Sequence, residues 1–211
     1  MQFKKIVFIV LLVSRAVWAG ADGPGWEFVT EKDGIRVWRR TKLDAKIQEL
    51  KADGYIDAPV ARVQDVLEHV EQYPEFMPYM TESKIVGQAA PDADYIYHKV
   101  DPPFVSKRDY TLRIAHHFEP QTGVYSRVWT TLPKDSPLGP PQQKNVIRLD
   151  LADGSWTVEP SGTNKSHVVY WVYAAPGGAM PSWLVNKANV ISMPDVVRSL
   201  RKRSLDPTWK K

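Results

Sequence analysis

The chain has 211 residues, 43% of them hydrophobic and 25% charged, which suits one domain with a buried core and excludes a disordered chain. It contains no cysteine, so a disulfide scaffold and a thiolate zinc site are excluded, and its five histidines show no metal-ligand spacing. The formal charge of +4 invites a nucleic-acid or membrane-surface partner until its location along the chain is considered.

Residues 1–19 (MQFKKIVFIVLLVSRAVWA) begin with Lys4 and Lys5 and continue through an apolar run of eight, Ile6 to Val13. Val17-Trp18-Ala19 then offers a cleavage site, the three-part pattern of a secretory signal peptide. The run falls short of the roughly 20 residues that span a bilayer. The leader holds Lys4, Lys5 and Arg15 and no acid, so its removal takes the net charge from +4 to +1. A periplasmic or secreted protein with a nearly neutral mature chain is expected. No nucleic-acid partner is expected, since the one basic cluster left is Arg198 to Arg203 near the C-terminus.

After a glycine-rich start, Asp33-Gly34 signals a turn before the alternating strand Ile35 to Trp38, and Lys46 to Ile56 reads as a second strand paired with it. Asp57-Ala58-Pro59 opens a helix, with Asp57 as its cap and Val60, Val63, Val66, Leu67 and Val70 at helical period. The segment Tyr73 to Tyr79 is a proline-broken aromatic loop. Seven strands follow: Ser83 to Val86, Tyr95 to Val100, Tyr110 to His117, Tyr125 to Thr131, Val146 to Leu151, Ser155 to Glu159 and His167 to Ala174. Asp153-Gly154 reads as a tight hairpin between two of them. Residues 132–143 (LPKDSPLGPPQQ) hold four prolines and form a long loop outside the sheet. The chain ends in a helix from Pro181-Ser182-Trp183, apolar on one face and kinked at Pro194. This order predicts an α+β domain, an antiparallel sheet with helices on one side and a space under the last helix that either packs solid or holds an apolar ligand.

Four stretches carry a family resemblance. They are Ser106-Lys107-Arg108-Asp109-Tyr110, Leu138-Gly139-Pro140-Pro141 with Val146-Ile147-Arg148, Gly154-Ser155-Trp156, and Ala175-Pro176-Gly177-Gly178 with Pro181, Trp183-Leu184 and Asn186. In this order they resemble the START domain, the steroidogenic-acute-regulatory-related lipid transfer domain, in a bacterial secreted form, over residues 26–205. The resemblance implies a helix-grip fold, a curved antiparallel sheet closed by the C-terminal helix around an apolar tunnel. It implies one bound lipid or other hydrophobic molecule, carried and transferred without catalysis, cofactor or metal, by a monomer that touches membranes transiently. In sterol-binding members an acid and an arginine lie in the tunnel. The arginine's place falls on Arg113 and the acid's near His98, where no acid stands.

His98 can hydrogen-bond a ligand hydroxyl or carboxylate, and Arg113, if inward, orients a polar head. Arg108 and Asp109 are adjacent and point to opposite faces, as members of structural pairs. Strand alternation turns about half of the aromatics inward, and Tyr97, Tyr125, Trp129, Trp171 and Tyr173 are the candidates for a ligand wall, against ordinary sheet packing. Asn186 joins them from the last helix. The proline loop, with Pro137, Leu138 and Gly139 at its tip, is the candidate gate. His116 and His117 are surface residues. The competing function is a polyketide cyclase or aromatase-like enzyme of the same fold group, with His98 and Arg113 polarising a carbonyl.

Overall fold

The computed structural model describes residues 23–43, 45–103, 105–175, 177–178 and 181–209. The expected leader, residues 1–19, lies outside them, as does Pro176 of the proline-glycine motif.

Strand β1 (Glu27–Lys32) turns back into β2 (Ile35–Arg40) through Asp33 and Gly34. Both turn residues have positive φ, 55° and 68°, as a two-residue hairpin matched to strand twist requires. β2 then pairs with β3 (Glu49–Ile56), as expected. Helix α1 (Val60–Glu68) buries Val60, Val63, Val66 and Leu67 of the predicted stripe, while Val70, also buried, lies beyond its end. Its cap differs from expectation: Pro59 occupies the cap position with no side-chain hydrogen bond, and Asp57 is exposed, 3.7 Å from Lys165. The aromatic segment after it winds into a 3-10 turn, Val70–Glu75.

Strands β4 (Met80–Ala90), β5 (Ala93–Val100), β6 (Lys107–Glu119), β7 (Val124–Thr131), β8 (Val146–Arg148), β9 (Ala152–Pro160) and β10 (Ser166–Ala174) follow, then helix α2 (Ser182–Leu205). The sheet order is β1-β2-β3-β10-β9-β7-β6-β5-β4, antiparallel throughout. β8 stands off this path and pairs with β6 in parallel, so the predicted strand at 146–151 is shorter and runs in the same sense as the strand it joins.

The hairpin predicted at Asp153-Gly154 is not there, because both residues lie inside β9. Gly154 is opposite Trp129, and a Cβ on it would collide with the indole and sit 2.7 Å from the Trp171 carbonyl oxygen. The glycine thus admits a ring across the strand and makes no turn. Asp153 accepts hydrogen bonds from Thr131, from N at 2.8 Å and Oγ1 at 2.9 Å, holding the end of β7.

Curvature turns one face of the sheet toward α1 and α2, the predicted helix-grip architecture. The core beneath the helices joins Ile35, Leu50, Val158 and Val168 from strands to Leu67 of α1 and Val197 and Leu200 of α2. α2 runs unbroken through Pro194. Its C-terminal half is pinned in the core by Met193, Val197 and Leu200. Its N-terminal half carries Trp183, Leu184 and Ile191 at 67%, 40% and 65% exposure.

Candidate functional site

Between the sheet and α2 lies a cavity of about 860 Å³. Strand parity determines its walls. On β6 the inward residues are Arg108, Tyr110, Leu112 and Ile114, on β7 Arg127 and Trp129, and on β10 Tyr170, Val172 and Ala174. β5 contributes His98 and Val100, and β9 contributes Ala152 and Trp156. Tyr170 stacks on Trp156 at 4.5 Å and on Trp129 at 6.2 Å, giving one side of the cavity a continuous aromatic wall. α2 closes the top with Val185, Ala188 and Met193. The rim is formed by Tyr79, by Pro102, Pro103 and Val105 between β5 and β6, and by Leu184 and Ile191 of α2.

Of the predicted ligand residues, His98 and Trp129 line this cavity. Trp129 donates from its indole to the Ala152 carbonyl at 2.9 Å. His98 is 5% exposed, packs between the rings of Tyr73 (5.8 Å) and Tyr110 (5.5 Å), and leaves Nε2 without a hydrogen-bond partner. Burial, then the nearby charge of Arg127, push its pKa down to about 3, so the ring is neutral.

The other predictions are corrected. Arg113 is exposed on the outer face, because it alternates with the inward pair Leu112 and Ile114. Tyr97 is buried but also faces outward, where its hydroxyl donates to Asp109 at 3.1 Å. Trp171 and Tyr173 alternate with the inward residues of β10 and so face outward, Tyr173 beneath the Lys42 ammonium at 4.1 Å. Tyr125 points inward but into the packed core rather than the cavity, with its phenol beside Arg127. Asn186 accepts from the Gln48 amide at 3.1 Å and donates to the Lys46 carbonyl at 3.3 Å, tying the start of α2 to the approach to β3.

The proline loop is not at the rim either. It lies on the outer face, where the Thr111 hydroxyl donates to the Leu138 carbonyl at 3.2 Å and Gly139 packs against Thr111 and Tyr97. Arg148 fastens it, donating to the Pro140 carbonyl at 2.9 Å and to Asp109 at 2.6 and 3.1 Å. Pro137, Leu138 and Gly139 therefore cover the back of the sheet.

Sequence reasoning missed two inward cations. Arg108, 4% exposed, faces the cavity while Asp109 faces outward, so the expected opposition of the two was correct and the inward assignment was not made. Arg108 donates to the Ser106 carbonyl, and burial lowers its pKa. Arg127, also 4% exposed, donates to the Leu67 carbonyl at the last turn of α1, which accepts from the Tyr73 hydroxyl as well, at 2.7 Å. Tyr110 and Tyr170 complete the polar lining, and burial raises both phenols, Tyr110 to about 12. Among the described residues no cluster of His, Asp and Glu could hold a metal ion, and no helix is long and apolar enough to cross a membrane.

The sequence profile of the START domain family matches residues 17–210. Human phosphatidylcholine transfer protein is 25% identical over 190 residues, covering 87% of this chain and 84% of its own. An uncharacterized protein of Pseudomonas aeruginosa is 27% identical over 177 residues, covering 83% and 85%. The crystal structure of a STAR-related lipid transfer protein fragment from Xanthomonas axonopodis superposes with a TM-score of 0.76 at 26% identity, covering 87% of this chain and all of the fragment. Human StAR-related lipid transfer protein 5 shares the fold, with a TM-score of 0.78 at 18% identity over 87% of this chain and 88% of its own. With a sheet, a closing helix and a profile match that runs nearly end to end, the chain belongs to the START domain family.

Proposed function

We propose that the protein binds one lipid or other hydrophobic small molecule in the cavity under α2 and carries it between membranes without chemical change. The observation that carries this reading is the cavity itself. It encloses about 860 Å³ behind aromatic and aliphatic walls, within the size range of small-molecule sites. The names of the phosphatidylcholine transfer protein and the Xanthomonas axonopodis fragment point the same way. The polar groups facing inward are suited to orienting a ligand: His98 is neutral, and the phenols of Tyr110 and Tyr170 stay protonated.

Exchange is proposed at the rim between the N-terminal half of α2 and the β5–β6 connection. Ile191, with two thirds of its surface in water, lines the rim with half-exposed Tyr79 and exposed Val105, and Trp183, equally exposed, stands in the first turn of α2. Such a patch suits transient insertion into a lipid surface. From the leader pattern of residues 1–19 we propose that this work is done in the periplasm or outside the cell.

The test is native mass spectrometry of protein purified from its own host, followed by transfer of fluorescent lipid between vesicles. Bound lipid and accelerated transfer are expected, with transfer slowed in Trp183→Ser and Ile191→Ser at unchanged thermal stability. Repeated isolation of empty protein that takes up nothing from vesicles would sink the proposal.

A further inference from the structure

Arg127 is a full charge inside a largely apolar cavity, and the protein neutralises only part of it. Arg127 donates to the Leu67 carbonyl at the C-terminal end of α1 and has the neutral Tyr125 phenol beside it. A helix C-terminus carries the equivalent of about half a negative charge, and here Tyr73 shares the same oxygen. No carboxylate among the described residues pairs with Arg127. The one acid lining the cavity, Asp195 on α2, is engaged by Arg198 at the surface. A buried cation without a counter-charge is costly, and proteins normally supply one.

The other inward polar groups on this side are also unspent. His98 Nε2 is buried without a partner. The hydroxyls of Tyr110 and Tyr170 form no side-chain hydrogen bond among the described residues, though both rings are held by neighbours. Tyr170, Trp156 and Arg127 lie in one row across β10, β9 and β7. The Tyr73 ring carries the cluster from Arg127, through the shared Leu67 oxygen, to His98. These groups are donors, or can present a donor as a neutral imidazole does.

The geometry points to an oxyanion subsite: Arg127, assisted by His98 and the Tyr110 and Tyr170 hydroxyls, takes the carboxylate or phosphate end of an amphiphile whose tail lies along the Trp129–Trp156–Tyr170 wall. This assignment rests on the lipid-carrier reading above and narrows its ligand to the acidic amphiphiles. The incoming anion supplies the charge that the α1 carbonyl leaves unmatched, and it is excluded from water, where charge-assisted hydrogen bonds are strongest.

The test uses delipidated full-length protein and three amphiphiles with one tail: dodecanoate, dodecyl phosphate and dodecanol. Affinity is read from quenching of intrinsic tryptophan fluorescence, since Trp129 and Trp156 line the cavity. At least one anion is expected to bind about 10–100-fold more tightly than the alcohol, the worth of hydrogen bonds to a charged group. The two anionic arms separate a carboxylate ligand from a phosphate one. Arg127→Met should abolish the preference, with both anions falling to within about twofold of dodecanol. A second reading needs no variant: carboxyl-carbon NMR of labelled dodecanoate should show the bound acid titrating below its aqueous value. Dodecanol binding as tightly as both anions, or a preference that survives Arg127→Met, overturns the subsite and leaves lipid binding intact. Uptake of none of the three overturns both readings.

Discussion

Asp109 and Arg127 stand on neighbouring strands, β6 and β7, and both are withdrawn from solvent, at 0% and 4% exposure. Asp109 faces the outer side of the sheet, where it accepts two hydrogen bonds from Arg148 and one from Tyr97. Two other buried carboxylates share that face and that treatment: Glu49 pairs with Arg40 and Lys42, and Asp53 with Arg36 and Trp38. Arg127 faces the inner side and receives a helix-end carbonyl in place of an acid. The outer face is electrically closed by the chain's own residues and serves to lock loops and edge strands. On the inner face Arg127 keeps its charge open. Under the proposed carrier function, that asymmetry separates what belongs to the fold from what is held ready for a ligand.

The sharpest way to break this comparison is to remove one residue from each side and measure stability. Asp109→Ala strands Arg148, whose side chain is only 11% exposed, and frees the proline loop. Breaking a buried pair by deleting one partner costs about 3–5 kcal/mol. Urea unfolding should show a loss of that size. A loss below about 1 kcal/mol, the range of a surface pair, would mean that the outer network does not hold the fold.

A smaller effect is expected at Gly154, where the two faces are separated by the backbone of β9 alone. Any side chain there meets Trp129 on one side and the Trp171 carbonyl nearby. Gly154→Ala should destabilise by about 1–3 kcal/mol, as overpacking does, and should displace the Trp129 ring from the cavity wall. Thermal unfolding together with tryptophan emission reads both. An unchanged melting temperature would show that the aromatic wall has slack.

The sequence was readable where one residue decides locally and unreadable where parity had to be anchored. Asp33-Gly34, the Val60–Leu67 stripe and the closing helix all follow from short-range rules, and each stands where expected. Arg113 could have been placed outward from its own neighbours, since Leu112 and Ile114 alternate with it and apolar residues take the inner face. The resemblance drew it inward instead. The aromatics on β10 went wrong by one residue, Trp171 and Tyr173 for Tyr170 and Val172, which in a strand inverts the face. The proline loop was correctly read as unable to pair. Its docking depends on Arg148 and Thr111, distant contacts that no local pattern encodes. Arg127 had no local signal, because its meaning depends on the end of α1 sixty residues earlier.

Set against Asp109→Ala, Arg127→Met should be nearly silent in stability. It forfeits one hydrogen bond, while the Leu67 oxygen keeps Tyr73, so the change should stay within about 1 kcal/mol of the wild type. Replacing a buried charge by an apolar residue of similar volume often costs nothing. A loss of several kcal/mol would make Arg127 a structural cap of α1 and would remove the contrast between the faces.

The smallest effect distinguishes the faces by pH. On the outer face His167 lies 3.3 Å from both Asp53 and Glu159, with Tyr55 beside its ring. The hydrogen bond to Asp53 raises its pKa, burial opposes, and Glu159 adds to the rise. Asp53 is held at about 2: burial works against this, and hydrogen bonds from His167, Trp38 and Arg36 outweigh it. A raised histidine stabilises the fold fully below its unfolded value of 6.5, and that contribution fades as pH rises through the folded value. A depressed carboxylate keeps its contribution everywhere above 3.8 and loses it only as pH falls toward about 2. As pH rises above 6.5, therefore, His167 titrates and Asp53 does not. Wild-type stability should decline modestly over that window, and His167→Gln should flatten the decline. His98 on the inner face, at about 3, is already neutral in both folded and unfolded chains above 6.5, so His98→Gln should leave the slope as it is. Its own contribution appears on the acid side, where the unfolded chain binds a proton that the buried ring refuses, and stability falls as pH drops below 6.5. Chemical denaturation across pH resolves the two histidines, and a neutral-range slope that followed His98 instead of His167 would exchange the roles of the two faces.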